Sequence, residues 1–192
     1  MPRAAERSTI RRHPERNSPD EFGAIMTAGT VMHVSFCVEG QPHVIPLTYQ
    51  YDVAEPEVVY LHGAAESRLQ HVLASGAPVC LCVTMIDGLV YSKTAMNHSM
   101  NYRSAISFGR ATVVASAADK RRGFEAMTLR YFPGRTAGRD YLTATDAQLD
   151  AMTMVAVHID EGSAKIRRGG ANGPTDNDPY ALGTCGVAPA RP

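Results

Sequence analysis

Residues 31–51 read VMHVSFCVEGQPHVIPLTYQY, and the alternation in this stretch decides the fold. Met32, Val34, Phe36 and Val38 alternate with Val31, His33, Ser35 and Cys37, the period of a half-buried strand. Glu39-Gly40 turns the chain. His43 to Tyr51 reads as the returning strand, with Ile45, Leu47, Tyr49 and Tyr51 on one face. Pro46 lies inside that run and cannot donate to a β-ladder, so the strand is at an edge or is interrupted there.

Working outward, Ser18-Pro19-Asp20-Glu21 has the form of a capping box with proline at the first helical position. Phe22, Ile25 and Met26 then give a short helix one buried face. Residues 57–62 make a third strand. An amphipathic helix is expected near 66–75, with Leu69, Val72 and Leu73 as its apolar stripe. Val79 to Met85 is another strand, and Asp87-Gly88 has the residues of a type I′ hairpin turn into Leu89–Lys93. A long strand is expected over Arg103–Val114, and a helix near 118–132 with Phe124, Met127 and Tyr131 on one side. Thr145 to Gln148 is a second capping box. Strands at 153–160 and 163–168 complete the sheet. The reading is a mainly β protein with helices (α+β), a six- to seven-stranded barrel with helical covers. Its parts are a polar lead-in (1–17), one domain (18–168) and an irregular tail (169–192).

The 192 residues suffice for one well-filled core. Nineteen basic residues balance nineteen acidic ones, which argues against nucleic acid or an anionic membrane as the main partner. No apolar run reaches membrane-spanning length. The Arg- and Glu-rich start lacks the apolar segment of a secretory signal, so a cytoplasmic protein is expected. Cys37, Cys80, Cys82 and Cys185 contain no C-x-x-C pair and read as buried thiols. The seven histidines show no ligand spacing for zinc, and no metal site is expected.

Two segments carry candidate chemistry. In 60–68, YLHGAAESR, a strand ends at His62-Gly63 and a small-residue loop leads to Ser67-Arg68 at a helix start. Unpaired helix N–H groups and a guanidinium suit a phosphomonoester. The plain alternative is an ordinary strand–helix turn with a solvated Arg68. In 97–104, NHSMNYRS, the side chains of Asn101, Tyr102, Arg103 and Ser104 suit an anion or the polar edge of a heteroaromatic ring. The alternative there is a polar loop with the usual capping side chains.

Three pieces in order resemble the FMN-binding split-barrel superfamily that includes pyridoxamine 5′-phosphate oxidase, and most nearly its Nim-type nitroimidazole-resistance branch. They are Gly40 to Leu47, Tyr60 to Ala64 with Ser67-Arg68-Leu69, and His98 to Ser104 with Phe108 to Ala111. The resemblance spans about residues 12–168. It implies a split β-barrel and a homodimer with FMN in the cleft between subunits. It places the backbone of Val44, Ile45, Pro46 and Leu47 at the isoalloxazine edge, His62 and Gly63 beside the flavin, and Ser67 and Arg68 at its phosphate. Asn101, Tyr102, Arg103 and Ser104 approach from the long strand. His62 is the candidate proton donor or substrate contact, because imidazole titrates near neutrality. The implied activity is an FMN-dependent oxidoreductase that takes electrons from a nicotinamide donor and passes them to a small acceptor such as a nitroaromatic. The alternative is a non-catalytic flavin- or haem-binding protein, with His62 or another histidine as axial ligand. The chain has no tryptophan, and the substrate-binding C-terminal element of the oxidase is not recognisable in it. Oxidation of pyridoxamine phosphate itself is therefore not expected.

Overall fold

The computed structural model describes residues 5–190. Its centre is an antiparallel sheet of eight strands. In chain order these are β1 (Met32–Val38), β2 (Gln41–Leu47), β3 (Gln50–Tyr51), β4 (Val58–Ala64), β5 (Pro78–Tyr91), β6 (Ser99–Val113), β7 (Met152–Arg167) and β8 (Gly186–Pro189). The helices are α1 (Phe22–Ala28), α2 (Arg68–Ala74), α3 (Ala117–Tyr131) and α4 (Asp146–Asp150). Strand order is β2-β1-β5-β6-β7-β4-β3, with β8 added to β5. The curled sheet is not closed, which makes it a split barrel. No helix among the described residues is long and apolar enough to cross a membrane.

The alternation in the opening stretch becomes the core. Met32, Val34 and Phe36 meet Leu61, Leu81, Val83 and Val157 inside the barrel, all nearly inaccessible to water. Side chains at every second position supply this interior, so each strand contributes a stripe and the register is fixed by burial. β7 departs from that rule. Met154, Val155, Ala156 and Val157 are buried in succession because α3 covers the outer face there. Gly123 lets the helix approach: a Cβ at that position would lie 2.6 Å from the Met154 sulfur.

β2 is an edge strand paired only with β1, with Pro46 opposite His33. The missing N–H of Pro46 is tolerated at an edge. The returning strand breaks at Thr48-Tyr49, two residues beyond Pro46, and β3 resumes on β4 at the opposite margin of the sheet. The chain itself thus crosses the split. Its crossing is pinned by the end of α3. Tyr131 Oη stands 3.0 Å from both the Tyr49 amide, which donates to it, and the Tyr49 carbonyl. Arg130 lies 4.5 Å over the Tyr49 ring and donates to the Met26 and Gly29 carbonyls, each at 2.8 Å. Burial pushes the Tyr49 phenol well above its ordinary pKa, so it remains a donor, 2.6 Å from the Met26 carbonyl.

Four expectations need correction. Asp87-Gly88 is not a hairpin turn; β5 runs straight through it with an irregularity between Ile86 and Gly88. β1 pairs with the first half of β5 and β8 with the second, and a Cβ on Gly88 would come within 3.0 Å of the Ala188 carbonyl oxygen. The glycine serves strand approach, and the signal for it lies a hundred residues away. Ser18 makes no cap bond; a 3-10 turn over Pro19–Glu21 leads into α1 instead. The two strands expected over 153–160 and 163–168 are one strand, β7, with an irregularity in its pairing to β6. The cysteines are all free, with Cys37 and Cys185 exposed and Cys80 and Cys82 half-buried. The Thr145 capping box is present as expected.

Candidate functional site

His62 sits on β4, on the face opposite the core residues Val59 and Leu61. Phe124 of α3 meets it edge-on, with ring centroids 4.8 Å apart. Its Nδ1 is buried and has no hydrogen-bond partner among the described residues. Burial lowers its pKa, so the ring is held neutral. It lines a cavity of about 290 Å³ with Thr48, Phe124, Met127, Tyr131 and Phe132. Thr48 belongs to the crossing and His62 to β4, so this cavity lies at the split, roofed by α3. A neutral imidazole with an unfilled nitrogen in an apolar recess can accept a proton or hydrogen bond from a ligand group. The helix face of Phe124, Met127 and Tyr131 was legible in the sequence, but not that it roofs a cavity.

Gly63 points the other way. A Cβ there would lie 2.8 Å from Gln70 Nε2, and the fully buried Gln70 amide has no partner on either atom. Ser67 caps α2: its hydroxyl oxygen accepts the Gln70 backbone N–H at 3.3 Å. Arg68, the next residue, is exposed and makes no hydrogen bond among the described residues. Within β2, Ile45 and Leu47 are half-buried against the core, whereas Val44 and Pro46 are exposed. Val44 borders a different recess of about 640 Å³, an apolar groove lined by Phe36, His43, Val79, Cys80 and Phe108.

The third predicted group is bonded within the chain. Arg103 forms a bidentate pair with Asp87, at 2.7 and 2.9 Å, which holds the Asp87 carboxyl below its usual range. Asn101 Nδ2 donates to the Gly169 carbonyl, and Ser104 Oγ donates weakly to the Lys165 carbonyl at 3.4 Å. Tyr102 is half-buried opposite Arg167. His62 is in register with Met154, whose carbonyl accepts the Val114 amide at the end of β6. Ser104 is ten residues back along that same strand, about 30 Å at the rise of an extended chain. One chain therefore brings His62, Gly63, Ser67 and Arg68 to one end and Asn101 to Ser104 to the other. It does not gather the predicted residues around a single cavity.

The family model described as pyridoxamine 5′-phosphate oxidase matches residues 18–166. The chain belongs to this family. Among solved structures, it is similar to the FAD and haem binding protein of Mycobacterium smegmatis, at 29% identity and a TM-score of 0.81, over 91% of this chain and 84% of that one. It is also similar to the flavocytochrome Anf3 of Azotobacter vinelandii, at 27% identity and a TM-score of 0.85, over 99% and 87% of the two chains. A candidate 5-nitroimidazole antibiotic resistance protein of Bacteroides thetaiotaomicron shares the fold at 21% identity and a TM-score of 0.63, over 78% and 84%. No curated protein matches the chain.

Proposed function

We propose that this family member is a flavin-dependent oxidoreductase whose isoalloxazine lies at the split between β2 and the β4–β3 margin, with FMN as the minimal ligand. The observation that carries the reading is His62, whose buried Nδ1 has no partner in a recess at the split. A group of the flavin ring or of a substrate would hydrogen-bond to that unpartnered nitrogen. The backbone edge of Val44 to Leu47 has no second partner strand and offers main-chain groups to a polar ring edge. Arg68 is free to meet a phosphate. The flavin supplies hydride and electron transfer when bound; the chain positions it and keeps water out. In this reading a nicotinamide nucleotide is the donor and a small molecule, such as a nitroaromatic, the acceptor.

The reading includes a cytoplasmic homodimer. The distance along β6 between His62 and the Asn101–Ser104 group supports it, because a second copy can bring one group to the other where a single chain does not. Arg68→Ala is expected to weaken FMN about tenfold more than riboflavin, since a guanidinium–phosphate contact is charge-assisted. Equal losses in titrations with the two flavins would remove Arg68 from the phosphate site.

A second reading adds haem, which the descriptions of two relatives name beside or together with a flavin. The groove of about 640 Å³ favours it: its walls are apolar and His43 stands on its border, stacked 5.2 Å from Phe36. Apolar walls suit a haem macrocycle, and an imidazole is one of the side chains that ligate its iron. Haemin titration should give a Soret band that His43→Ala shifts or abolishes. A band unaffected by His43→Ala and lost in His62→Ala would move the haem to the split.

A further inference from the structure

The run Arg167-Arg168-Gly169-Gly170-Ala171-Asn172 leaves β7 and borders a recess of about 420 Å³ together with Glu15 and Arg16. Three arginines face it against one glutamate. Arg167 is the unusual one. It is 8% exposed, yet it forms no ion pair among the described residues. Its Nη1 donates to Asn101 Oδ1 at 2.5 Å and weakly to the Gly169 carbonyl at 3.4 Å, and its Nη2 donates to the Gly170 carbonyl at 3.2 Å, all neutral acceptors. A guanidinium withdrawn from water without a counter-charge is costly, and an anion in the recess would offset that cost. The neighbouring pairs are loose: Arg168 is 3.7 Å from Glu21 and Arg16 is 3.7 Å from Glu15, both beyond hydrogen-bonding distance.

The backbone is shaped for close approach. Gly169 has φ +142, a conformation that side chains rarely adopt. Gly170 has no such constraint, and a Cβ there would meet nothing within 4 Å. The space beside it is open, and no packing within the chain demands glycine.

The geometry points to a binding site for the nucleoside-side phosphate of a dinucleotide's diphosphate, formed by Arg167, Arg168, Arg16 and the Gly169–Gly170 backbone. Guanidinium forks match phosphate oxygens in pairs, and the glycines let the chain lie against them. Through Asn101 the site adjoins the group that the proposed homodimer would bring to the flavin, so FAD, which carries the second phosphate FMN lacks, is its first candidate ligand. That identity rests on the flavin reading; the anion site itself does not.

The test uses the full chain and two variants, Arg168→Gln and Gly170→Val, neither of which disturbs a packed contact. Wild-type protein is expected to bind FAD about tenfold more tightly than FMN, with both variants losing that preference while FMN affinity holds. Sodium pyrophosphate should raise the melting temperature of the wild type and leave both variants unmoved. If the variants change the affinity for NADH and leave FAD alone, the diphosphate belongs to the electron donor. If neither flavin binds but the pyrophosphate shift is present and sensitive to both variants, the site stands and the flavin reading falls. Flavin bound without preference for FAD, together with no pyrophosphate shift, would overturn the site and spare the flavin reading.

Discussion

At the scale of single residues, His62 and Gly109 are the most informative. Burial depresses the His62 pKa below 6.5, so the unfolded chain takes up the proton first and stability falls as the pH drops through that value. Urea midpoints should decline from pH 7 to pH 5, and His62→Phe should flatten the decline; identical slopes would show that His62 is not the responsible group. Gly109 sits at the irregularity between β6 and β7, where a Cβ would lie 2.0 Å from the His158 carbonyl oxygen. Because the obstacle is backbone, Gly109→Ala should cost about 3 kcal/mol in chemical denaturation. Residue-level reading of the sequence singled out the segment 60–68 from a local signal, a strand giving way to small residues, and His62 within it from the family resemblance. It missed Arg167, whose significance depends on Asn101 from another strand and on the absence of a carboxylate, neither of which spacing reveals.

At the scale of elements, local signals and distant partners divide what was legible. The Thr145 cap is local: residue, spacing and hydrogen bonds agree, and Thr145→Ala should destabilise α4 by about 1 kcal/mol, read as a lower thermal midpoint. The alternation of β1 and the apolar stripe of α2 were legible for the same reason. The Asp87-Gly88 signal failed because β8 arrives from the tail and pairs with the second half of β5, which keeps the strand going where turn chemistry alone would end it. The tail's anchor is Asp176. The Lys93 amide at 2.7 Å, the Gly173 amide at 2.6 Å and Ser92 Oγ at 2.9 Å donate to its carboxylate and hold its pKa below the usual range. Asp176→Asn removes an oxygen acceptor and the charge from this cluster. Limited proteolysis of the variant should release the segment after residue 173 earlier than in wild type, and an unchanged digestion pattern would mean that β8 pairing alone secures the tail.

At the scale of the whole molecule, the sheet order sets the argument. The fold class was legible because most strands announce themselves by alternation, whereas the split was not, since it arises from β2 and β3 falling on opposite margins. The predicted flavin residues divide between the two ends of β6, so the complete site belongs to a symmetric pair of chains in the reading advanced above. Mixing Arg68→Ala and Arg103→Ala proteins under subunit exchange should restore about one tight site in four, because half of the dimers are mixed and each has one intact site. No recovery would place both groups in one chain's site. The most direct measurement is the absorption spectrum of the protein purified in its native state, with the released chromophore identified by mass. A flavin spectrum that reduced nicotinamide nucleotide bleaches is expected. Protein that is colourless and takes up neither FMN nor FAD on titration would contradict it.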